Sequence, residues 1–254
     1  MKNVVFQYFL NFNGVGKQGA YYTTEGIPDW AVYSSNYFKK YAETHNADYY
    51  FFTDRFVNAT SNFFEVLRLY KDTIFDQYDK VLYVDVDVMP KKMTQNIFDV
   101  DVEDVAGWPE WRHPDVSVAV NWTATTPIVN RFKHFNAQVT VPYSIPSNIR
   151  MINSGVMLWS KNARLKAREQ FIDHEMWFNY KNSYLDPQWT NAGHSSHCLD
   201  QPFLNAMFNK CNFNVVELPI EWNRFPTHNE NRSCYFAHYV GDHRYQIPKL
   251  YKDL

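Results

Sequence analysis

The order of apolar and polar positions in the first third of the chain predicts alternating strands and helices. Short apolar runs, which are typical of buried strands, occur at residues 4–9, 47–53 and 81–84. Between these runs, residues 28–45 and 62–75 carry apolar or aromatic side chains at helical spacing. The order strand, helix, strand, helix, strand is typical of a parallel sheet with right-handed crossovers. The pattern therefore predicts an α/β fold.

The rest of the chain has a less regular pattern. Residues 107–122 combine tryptophan, proline and charged residues, as a structured loop does. No internal repeat, low-complexity tract or linker interrupts the chain, so we expect one domain over residues 1–254. Further strands are predicted at residues 97–106, 151–160, 215–218 and 235–240, and further helices at residues 163–180 and 200–209.

Composition narrows the classes of partner. The chain is 45% hydrophobic and 20% charged, which is ordinary for a globular protein. Its formal net charge of -2 provides no polybasic surface, so nucleic acid is not expected as a main partner. The aromatic share of 18% is high, and aromatic side chains serve either as core or as linings for flat and sugar-like ligands.

Cysteine content and hydropathy bear on the compartment. Cys198, Cys211 and Cys234 lack the spacing of a metal site, and so sparse a set fits a reducing compartment. No apolar run reaches the length of a membrane span, and the first residues lack a signal-peptide pattern. We therefore expect a cytoplasmic protein without a membrane segment. A catalytic domain cut from a membrane-anchored parent would show the same features.

Two acidic residues follow the apolar run at residues 81–84. Asp85 and Asp87 lie where a buried strand is predicted to leave the sheet, and carboxylates there are costly without a positive partner. In open α/β sheets, ligands bind at the carboxyl ends of the strands. A divalent cation that holds a phosphorylated ligand is the simplest such partner. Pro90 is expected to end strand pairing soon afterwards.

Other interpretations of this Asp-x-Asp segment stay open on the residues alone. One carboxylate can act as a nucleophile and the other as a general acid in a phosphohydrolase. The acids can also simply cap a helix or face water. A non-catalytic carbohydrate-binding module rich in aromatic residues is a further possibility, and it would bind glycans without metal or nucleotide.

The neighbouring residues add a family resemblance. Residues 78–87, Tyr-Asp-Lys-Val-Leu-Tyr-Val-Asp-Val-Asp, resemble the Asp-x-Asp strand of GT-A-fold glycosyltransferases, and the nearest match is glycosyltransferase family eight. Other segments resemble motifs of this family in the same order: residues 65–69 before that strand, the Asn-Ser-Gly segment at 152–158, the Asp-Gln segment at 199–205, residues 219–223, and the His-x-x-Gly segment at 238–244.

The resemblance implies a single GT-A, Rossmann-like domain with a mostly parallel central sheet flanked by helices. It implies a metal-dependent transfer of a sugar from a nucleotide-diphosphate donor, a UDP-sugar above all, to a glycan or other hydroxyl acceptor, with retention. The implied cofactor is Mn²⁺ or Mg²⁺, and its implied ligands are Asp85, Asp87 and His238.

The resemblance also implies roles for other residues. Gln201 would support an oxocarbenium-like transition state, and Asp200 would hydrogen-bond the sugar, although Asp200 also suits a helix N-cap. Arg244 stands where the family usually has lysine, and the first strand lacks the family's common acidic residue. The donor-binding residues implied are Tyr8, Arg68, Asp85, Val86, Asn153, Gly155, Gly241 and Arg244.

An acceptor site is expected in the Trp-rich loop. Trp108 and Trp111 would stack on an acceptor sugar, and packing within the protein is an equal expectation for both. Glu110 would contact the acceptor, or would act as the base of an inverting enzyme.

Overall fold

The computed structural model describes residues 1–10, 26–59, 61–109, 152–176, 200–225 and 233–251. Glu110, Trp111 and most of the predicted loop at residues 107–122 lie outside the described residues. The expectation of one domain over residues 1–254 stays a prediction.

Strands and helices alternate in the first part of the chain, as the pattern predicts. The α-helices and strands, in chain order, are β1 (Asn3–Tyr8), α1 (Asp29–Thr44), β2 (Asp48–Phe52), α2 (Arg68–Lys71), β3 (Lys80–Val84), β4 (Val88–Pro90), β5 (Val105–Pro109), β6 (Ile152–Ser160), α3 (Lys161–Gln170), α4 (Asp200–Lys210), β7 (Val215–Glu217), β8 (Phe236–His238) and α5 (Ile247–Leu250). Short 3₁₀ helices connect several of them, at Asn62–Leu67, Thr73–Gln77, Ile97–Asp99, Ile220–Trp222 and Gly241–Gln246.

The main sheet has the strand order β2-β1-β3-β6-β5-β7. The pairs β1–β2, β1–β3 and β5–β7 are parallel, whereas β6 is antiparallel to both of its neighbours. The sheet is therefore mostly parallel, which confirms the predicted fold class. Because β6 runs against β3, the first residues of β6 lie beside the carboxyl end of β3. A separate pair, β4 with β8, forms a small antiparallel sheet.

Both faces of the main sheet are buried, because successive side chains of a strand point to opposite faces. On one face, Tyr83 of β3 packs in the same core as Phe64. On the other face, Leu82 shares a core with Phe38 of α1 and Phe236 of β8. A strand that is covered on both sides needs a continuous apolar run, which is the pattern at residues 81–84.

Four predicted elements differ from the structure. The predicted helix at 163–180 spans Lys161–Gln170 as α3 and ends there, where Phe171 adopts an extended conformation. The predicted helix at 62–75 is broken into short helical turns, because the Asp72 side chain accepts a hydrogen bond from the Ile74 amide and caps a new turn. The predicted strand at 97–106 begins with a 3₁₀ turn, where Asn96 caps Phe98 in the same way, and only its end is strand. Pro90 pairs within β4 instead of ending the pairing, which is possible because β4 pairs with β8 alone.

Among the described residues, no helix combines the length and the apolar character that crossing a membrane requires.

A buried arginine braces the segment that leads into β3. Arg164 of α3 is 1% exposed, and its guanidinium donates hydrogen bonds to the carbonyls of Trp159, Phe75 and Tyr78 at 3.1, 3.0 and 2.5 Å. Burial lowers the pKa of Arg164 to about 10, so the group stays charged at neutral pH. The arginine thereby ties the turn before β3 to the end of β6 and to α3.

We expect Arg164→Met to lower the free energy of unfolding by on the order of 3 kcal/mol, because three buried carbonyls would each lose a hydrogen bond from a charged donor. Denaturant unfolding measures this change. Leu165→Ala is the matched control, since Leu165 is the next residue of α3 and is 42% exposed. A loss in Arg164→Met no larger than that of the control would contradict the bracing role.

Candidate metal and donor site

The Asp85–Asp87 segment forms a turn at the carboxyl end of β3. The amide of Asp85 donates to the carbonyl of Gly155 on β6 at 2.8 Å, and the amide of Val88 donates back to the carbonyl of Asp85 at 3.1 Å. The turn is thus anchored to the neighbouring strand before the chain enters β4. Such an edge is where ligands bind in open α/β sheets.

Two buried polar side chains support this turn. Gln7 of β1 donates through Nε2 to the carbonyl of Asp85 at 3.2 Å, and Ser34 of α1 donates to the carbonyl of Val88 at 2.7 Å. Gln7 also donates to Ser34 at 3.0 Å and accepts from the hydroxyl of Tyr49 at 2.9 Å. Sequence reasoning missed both supports. A glutamine inside the apolar run at residues 4–9 was the available signal, since a buried polar group needs partners.

The pairing of β4 with β8 brings His238 to the turn. Val88 faces His238 in this ladder, and the amide of Tyr239 donates to the carbonyl of Asp87 at 2.7 Å. Nε2 of His238 lies 3.2 Å from Oδ1 of Asp87 and 3.8 Å from Oδ2 of Asp85. One ligand atom from each of the three residues lies within 4.8 Å of the others. The structure therefore brings together the three residues that the sequence proposes as metal ligands.

The charges of these three residues depend on each other. Loss of hydration and the charge of Asp87 raise the pKa of Asp85. Burial alone would raise the pKa of Asp87, but His238 and Arg244 hold it below its usual range. Burial would lower the pKa of His238, but the two carboxylates reverse the direction and raise it. Two acids this close favour a cation between them, and carboxylate and imidazole are donors that Mn²⁺ accepts.

Arg244 also lies at this cluster. Its Nη2 is 3.3 Å from Oδ2 of Asp87, and its guanidinium lies over the ring of Trp30 with 5.0 Å to the centroid. Its Nε donates to the carbonyl of Gly241 at 2.7 Å. Gly241 has a φ of +60°, a left-handed conformation that glycine adopts without steric cost, so the chain can turn back toward the site here. The structure places Arg244 beside the proposed metal ligands, and Gly241 is hydrogen-bonded to Arg244.

The Asn-Ser-Gly segment of β6 and the start of α4 form the adjacent side of the site. Oε1 of Gln201 accepts from the Ser154 amide at 3.1 Å and from Nδ2 of Asn153 at 3.2 Å. Asp200 is buried and is hydrogen-bonded to the side chain of Ser154. Burial and the charge of Asp85 raise the pKa of Asp200 to about 7. Gln201, Asn153 and Asp200 therefore lie together, as the resemblance implies.

Gly155 contacts His238 directly. A Cβ built on Gly155 would lie 2.3 Å from Cε1 and 2.9 Å from Nδ1 of the His238 ring. Only a residue without a side chain lets the imidazole approach β6 this closely. The glycine of this motif thus has a structural reason that sequence reasoning missed.

Two stacked tyrosines line the strand ends beside Asp85. The ring centroids of Tyr8 and Tyr83 are 5.9 Å apart, and the hydroxyl of Tyr83 donates to Asp85. The hydroxyl of Tyr8 donates to the carbonyl of Phe63 at 3.1 Å. Burial, together with the charges of Asp200 and Asp85, raises the pKa of Tyr8. Tyr8 therefore lies close to the acids of the site, as a neutral phenol. Val86 lies in the turn itself and is half-buried.

Arg68 is surrounded by acidic residues of its own part of the chain. Its Nε donates to Asp72 at 3.0 Å, its Nη1 lies 3.7 Å from Glu65 and 3.4 Å from Asp54, and its guanidinium stacks on Phe52 at 3.5 Å. These contacts tie the segment after β2 to α2. The guanidinium is engaged by acids of its own neighbourhood, so a role for Arg68 in donor binding stays a prediction.

Trp108 is buried in β5 and is 1% exposed. Its ring packs edge-on against Phe225, with 5.5 Å between the centroids. This burial fits the expectation of packing within the protein, and a role for Trp108 in acceptor binding stays a prediction. Glu110 and Trp111, the other predicted acceptor residues, lie outside the described residues.

The raised pKa of Asp200 gives a pH prediction for the metal-free protein. Because its pKa is about 7 in the folded state and is ordinarily 3.8, the folded protein holds a proton between these values that the unfolded chain has lost. Stability therefore falls as the pH rises through this window, by up to about 1.4 kcal/mol per pH unit. Asp200→Asn removes the titrating group. We therefore expect the free energy of unfolding of the variant, relative to that of wild type, to increase as the pH rises from 4 to 7. Unfolding measured in chelator across this range tests it.

Asp101→Asn is the control for this experiment, because Asp101 is exposed. Its unfolding free energies should follow those of wild type at every pH. Parallel profiles for wild type and Asp200→Asn would contradict the assignment of a raised pKa to Asp200.

Similar solved structures identify the fold. An active-site mutant of LgtC gives a TM-score of 0.52 at 13% identity, and it covers 94% of this chain and 87% of that chain. The galactosyltransferase LgtC in complex with donor and acceptor sugar analogs gives 0.51 at 14% identity, with the same coverage. A glycosyltransferase involved in the glycosylation of the major capsid of PBCV-1 gives 0.53 at 12% identity and covers 100% of both chains. The fold is GT-A.

Comparison with curated proteins finds no match to this chain. The model of the family Glycosyl transferase family 8 matches residues 22–242, which is most of the sequence. The chain therefore belongs to glycosyltransferase family 8, and it is a glycosyltransferase.

Proposed function

We propose that this protein transfers a sugar from a nucleotide-diphosphate donor, with UDP as the nucleotide, to a hydroxyl of a glycan, in a reaction that needs a divalent cation and retains the anomeric configuration. The observation that carries the proposal is the cluster of Asp85, Asp87 and His238 at the carboxyl end of β3. This is the edge of the sheet where a nucleotide binds in an α/β fold.

The three side chains suit Mn²⁺ or Mg²⁺ in number and chemistry. Two carboxylates and one imidazole nitrogen leave coordination positions for the oxygens of a diphosphate. A bound cation there supplies positive charge that stabilises the nucleotide diphosphate as a leaving group. Nε2 of His238, which β8 carries, lies within 4 Å of a carboxylate oxygen of both Asp85 and Asp87.

Arg244 adds a second positive charge. Its contact with Asp87 places the guanidinium next to the metal ligands, where the phosphates of the donor would lie. The ring of Trp30 and the carbonyl of Gly241 limit its orientation. Arginine can pair with two phosphate oxygens at once, which lysine cannot do. We therefore assign Arg244 to the diphosphate.

The residues at the start of α4 would face the sugar. We assign Gln201 to the anomeric centre, where a neutral amide supports developing positive charge, and Asp200 to a hydroxyl of the sugar. Asn153 and the Ser154 amide hold the amide of Gln201 in one orientation, which supports this assignment. In a retaining transfer without a protein nucleophile, the leaving phosphate accepts the proton of the acceptor hydroxyl.

Ligand-dependent stability gives the first test. We expect UDP plus Mn²⁺ to raise Tm together more than either does alone, because a ligand of the folded state stabilises it by about 2.7 kcal/mol at one hundred times its Kd. A screen of UDP-sugars, including UDP-galactose, for metal-dependent hydrolysis then identifies the donor. Release of phosphate from simple phosphoesters, with no response to any UDP-sugar, would favour a phosphohydrolase and contradict the proposal.

Asp87→Asn tests the proposed metal role directly. We expect it to reduce turnover by more than about a hundredfold, since a ligand matters at least as much as the groups that orient ligands. Asp101→Asn, at an exposed position, is the matched control and should keep wild-type turnover. Wild-type turnover in Asp87→Asn would remove Asp87 from the metal site.

Gly155→Ala tests the contact between β6 and His238. The new methyl group must displace the imidazole, so we expect Mn²⁺ affinity to fall by about tenfold or more. Gly107→Ala is a matched control in β5, because its Cβ would lie 2.6 Å from Cδ1 of Ile152 and not near His238. Both variants should lose stability, and only Gly155→Ala should lose Mn²⁺ affinity in calorimetric titration. An equal loss of affinity in both would point to a general packing effect.

A further inference from the structure

A chain of buried side-chain hydrogen bonds crosses the site from the sugar side to the metal side. Nδ2 of Asn153 donates to Oε1 of Gln201 at 3.2 Å, and Nδ2 of Asn223 donates to Oδ1 of Asn153 at 2.8 Å. Oδ1 of Asn223 lies 2.9 Å from Nδ1 of His238. All four residues are buried, and Asn223 is 0% exposed. Asn223 is the one residue of these four for which the sequence suggested no role.

Backbone N–H groups fix the orientation of the side-chain amides in this series of hydrogen bonds. The amide N–H of Gly155 donates to Asn153 at 2.9 Å, so the side-chain atom of Asn153 at this point must be its oxygen. The same oxygen is the partner of Asn223, so Asn223 must present its NH₂ group to it. The amide N–H of Ser154 fixes Oε1 of Gln201 in the same way. The orientation of each amide therefore follows from groups that can only donate.

The orientation of the Asn223 side-chain amide determines which group faces Nδ1 of His238. Because the NH₂ of Asn223 is used by Asn153, its oxygen faces the imidazole. An oxygen accepts, so Nδ1 of His238 must carry a hydrogen. The lone pair of the neutral ring is then on Nε2, the atom that lies 3.2 Å from Asp87. A nitrogen with its lone pair on the side of the carboxylates is what a metal ligand requires.

Among the described residues, two acceptors face the His238 ring: the side-chain oxygen of Asn223 lies 2.9 Å from Nδ1, and the carboxylate of Asp87 lies 3.2 Å from Nε2. A cation bound at Nε2 would replace the hydrogen that Asp87 accepts and would leave Nδ1–H to Asn223. Gly155 contacts one part of the ring, and Phe225 packs edge-on against it with 5.1 Å between the centroids. These contacts hold the position of the ring but do not distinguish its two nitrogens. Asn223 itself is held at the end of a 3₁₀ turn, where its backbone N–H donates to the carbonyl of Ile220 at 3.0 Å.

We propose that Asn223 is a positioning residue that accepts from Nδ1–H of His238, which keeps Nε2 turned toward Asp85 and Asp87 for a cation, and that it orients Asn153 through the other end of the same amide. One side chain thereby aligns the metal side of the site with the sugar side. The inference rests on the proposed metal role of Asp85, Asp87 and His238. Groups that orient a metal-binding histidine in this way typically change metal affinity by ten- to a hundredfold when they are lost.

Two substitutions separate the two ends of the amide. Asn223→Ala removes both hydrogen bonds, so we expect Mn²⁺ affinity to fall by about ten- to a hundredfold. Asn223→Asp can still accept from Nδ1 of His238 but cannot donate to Asn153. We expect Asn223→Asp to keep a Mn²⁺ affinity no weaker than wild type, while the KM for the donor rises by tenfold or more or kcat falls similarly.

The readouts are calorimetric titration of Mn²⁺ and the steady-state kinetics of metal-dependent donor hydrolysis. Asn214→Ala is the matched control, because Asn214 pairs with Glu103 at an exposed position. It should leave both readouts unchanged.

The possible outcomes separate this inference from the function on which it rests. An unchanged Mn²⁺ affinity in Asn223→Ala would overturn the positioning role while leaving the proposed metal role intact. A weakened Mn²⁺ affinity in folded Asn223→Asp, or wild-type kinetics in that variant, would also overturn it, and this variant decides the matter where Asn223→Ala does not fold. If wild type binds no Mn²⁺, the proposed metal role fails and the positioning role fails with it.

Discussion

Two carboxylates one residue apart, with an imidazole and a guanidinium beside them, are the constraint on which the site depends. The charges of Asp85 and Asp87 repel each other, and this repulsion grows as water is excluded. His238 and Arg244 oppose it from the other side of the turn. The arrangement persists only if the backbone that carries each group is held firmly. Hydrogen bonds from the surrounding residues hold that backbone in place.

The backbone of the turn is held by neutral groups. Gln7 and Ser34 donate to its carbonyls from inside the sheet and α1, and Gly155 accepts from the amide of Asp85. Neutral hydrogen bonds suit this task, because they add no further charge to a crowded site and satisfy buried carbonyls at small cost. Charged and neutral groups therefore have different tasks. Charged side chains face the position proposed for the cation and phosphates, and neutral amides and hydroxyls hold those side chains in place.

Arg68 and Trp108 show what a sequence pattern leaves open about a side chain. Both residue types suit ligand binding, and both occur at positions that a family motif or an aromatic loop favours. In the structure, Arg68 is surrounded by carboxylates of its own segment, and Trp108 packs beside Phe225. A sequence motif specifies the type of side chain at a position. The contacts of that side chain depend on the folded protein, with neighbours near in the sequence for Arg68 and distant for Trp108.

The sequence by itself determined the α/β class, the parallel arrangement at its start and the Asp-x-Asp turn, because apolar runs and helical stripes are local patterns that report burial directly. It also supplied His238 as a candidate through its motif. Only the tertiary structure placed His238 against Asp87, through the pairing of β4 with β8, and only it showed Asn223 between His238 and Asn153. The reason is physical: hydrogen bonds between residues 70 positions apart leave no periodic trace in a sequence, since any buried amide can make them.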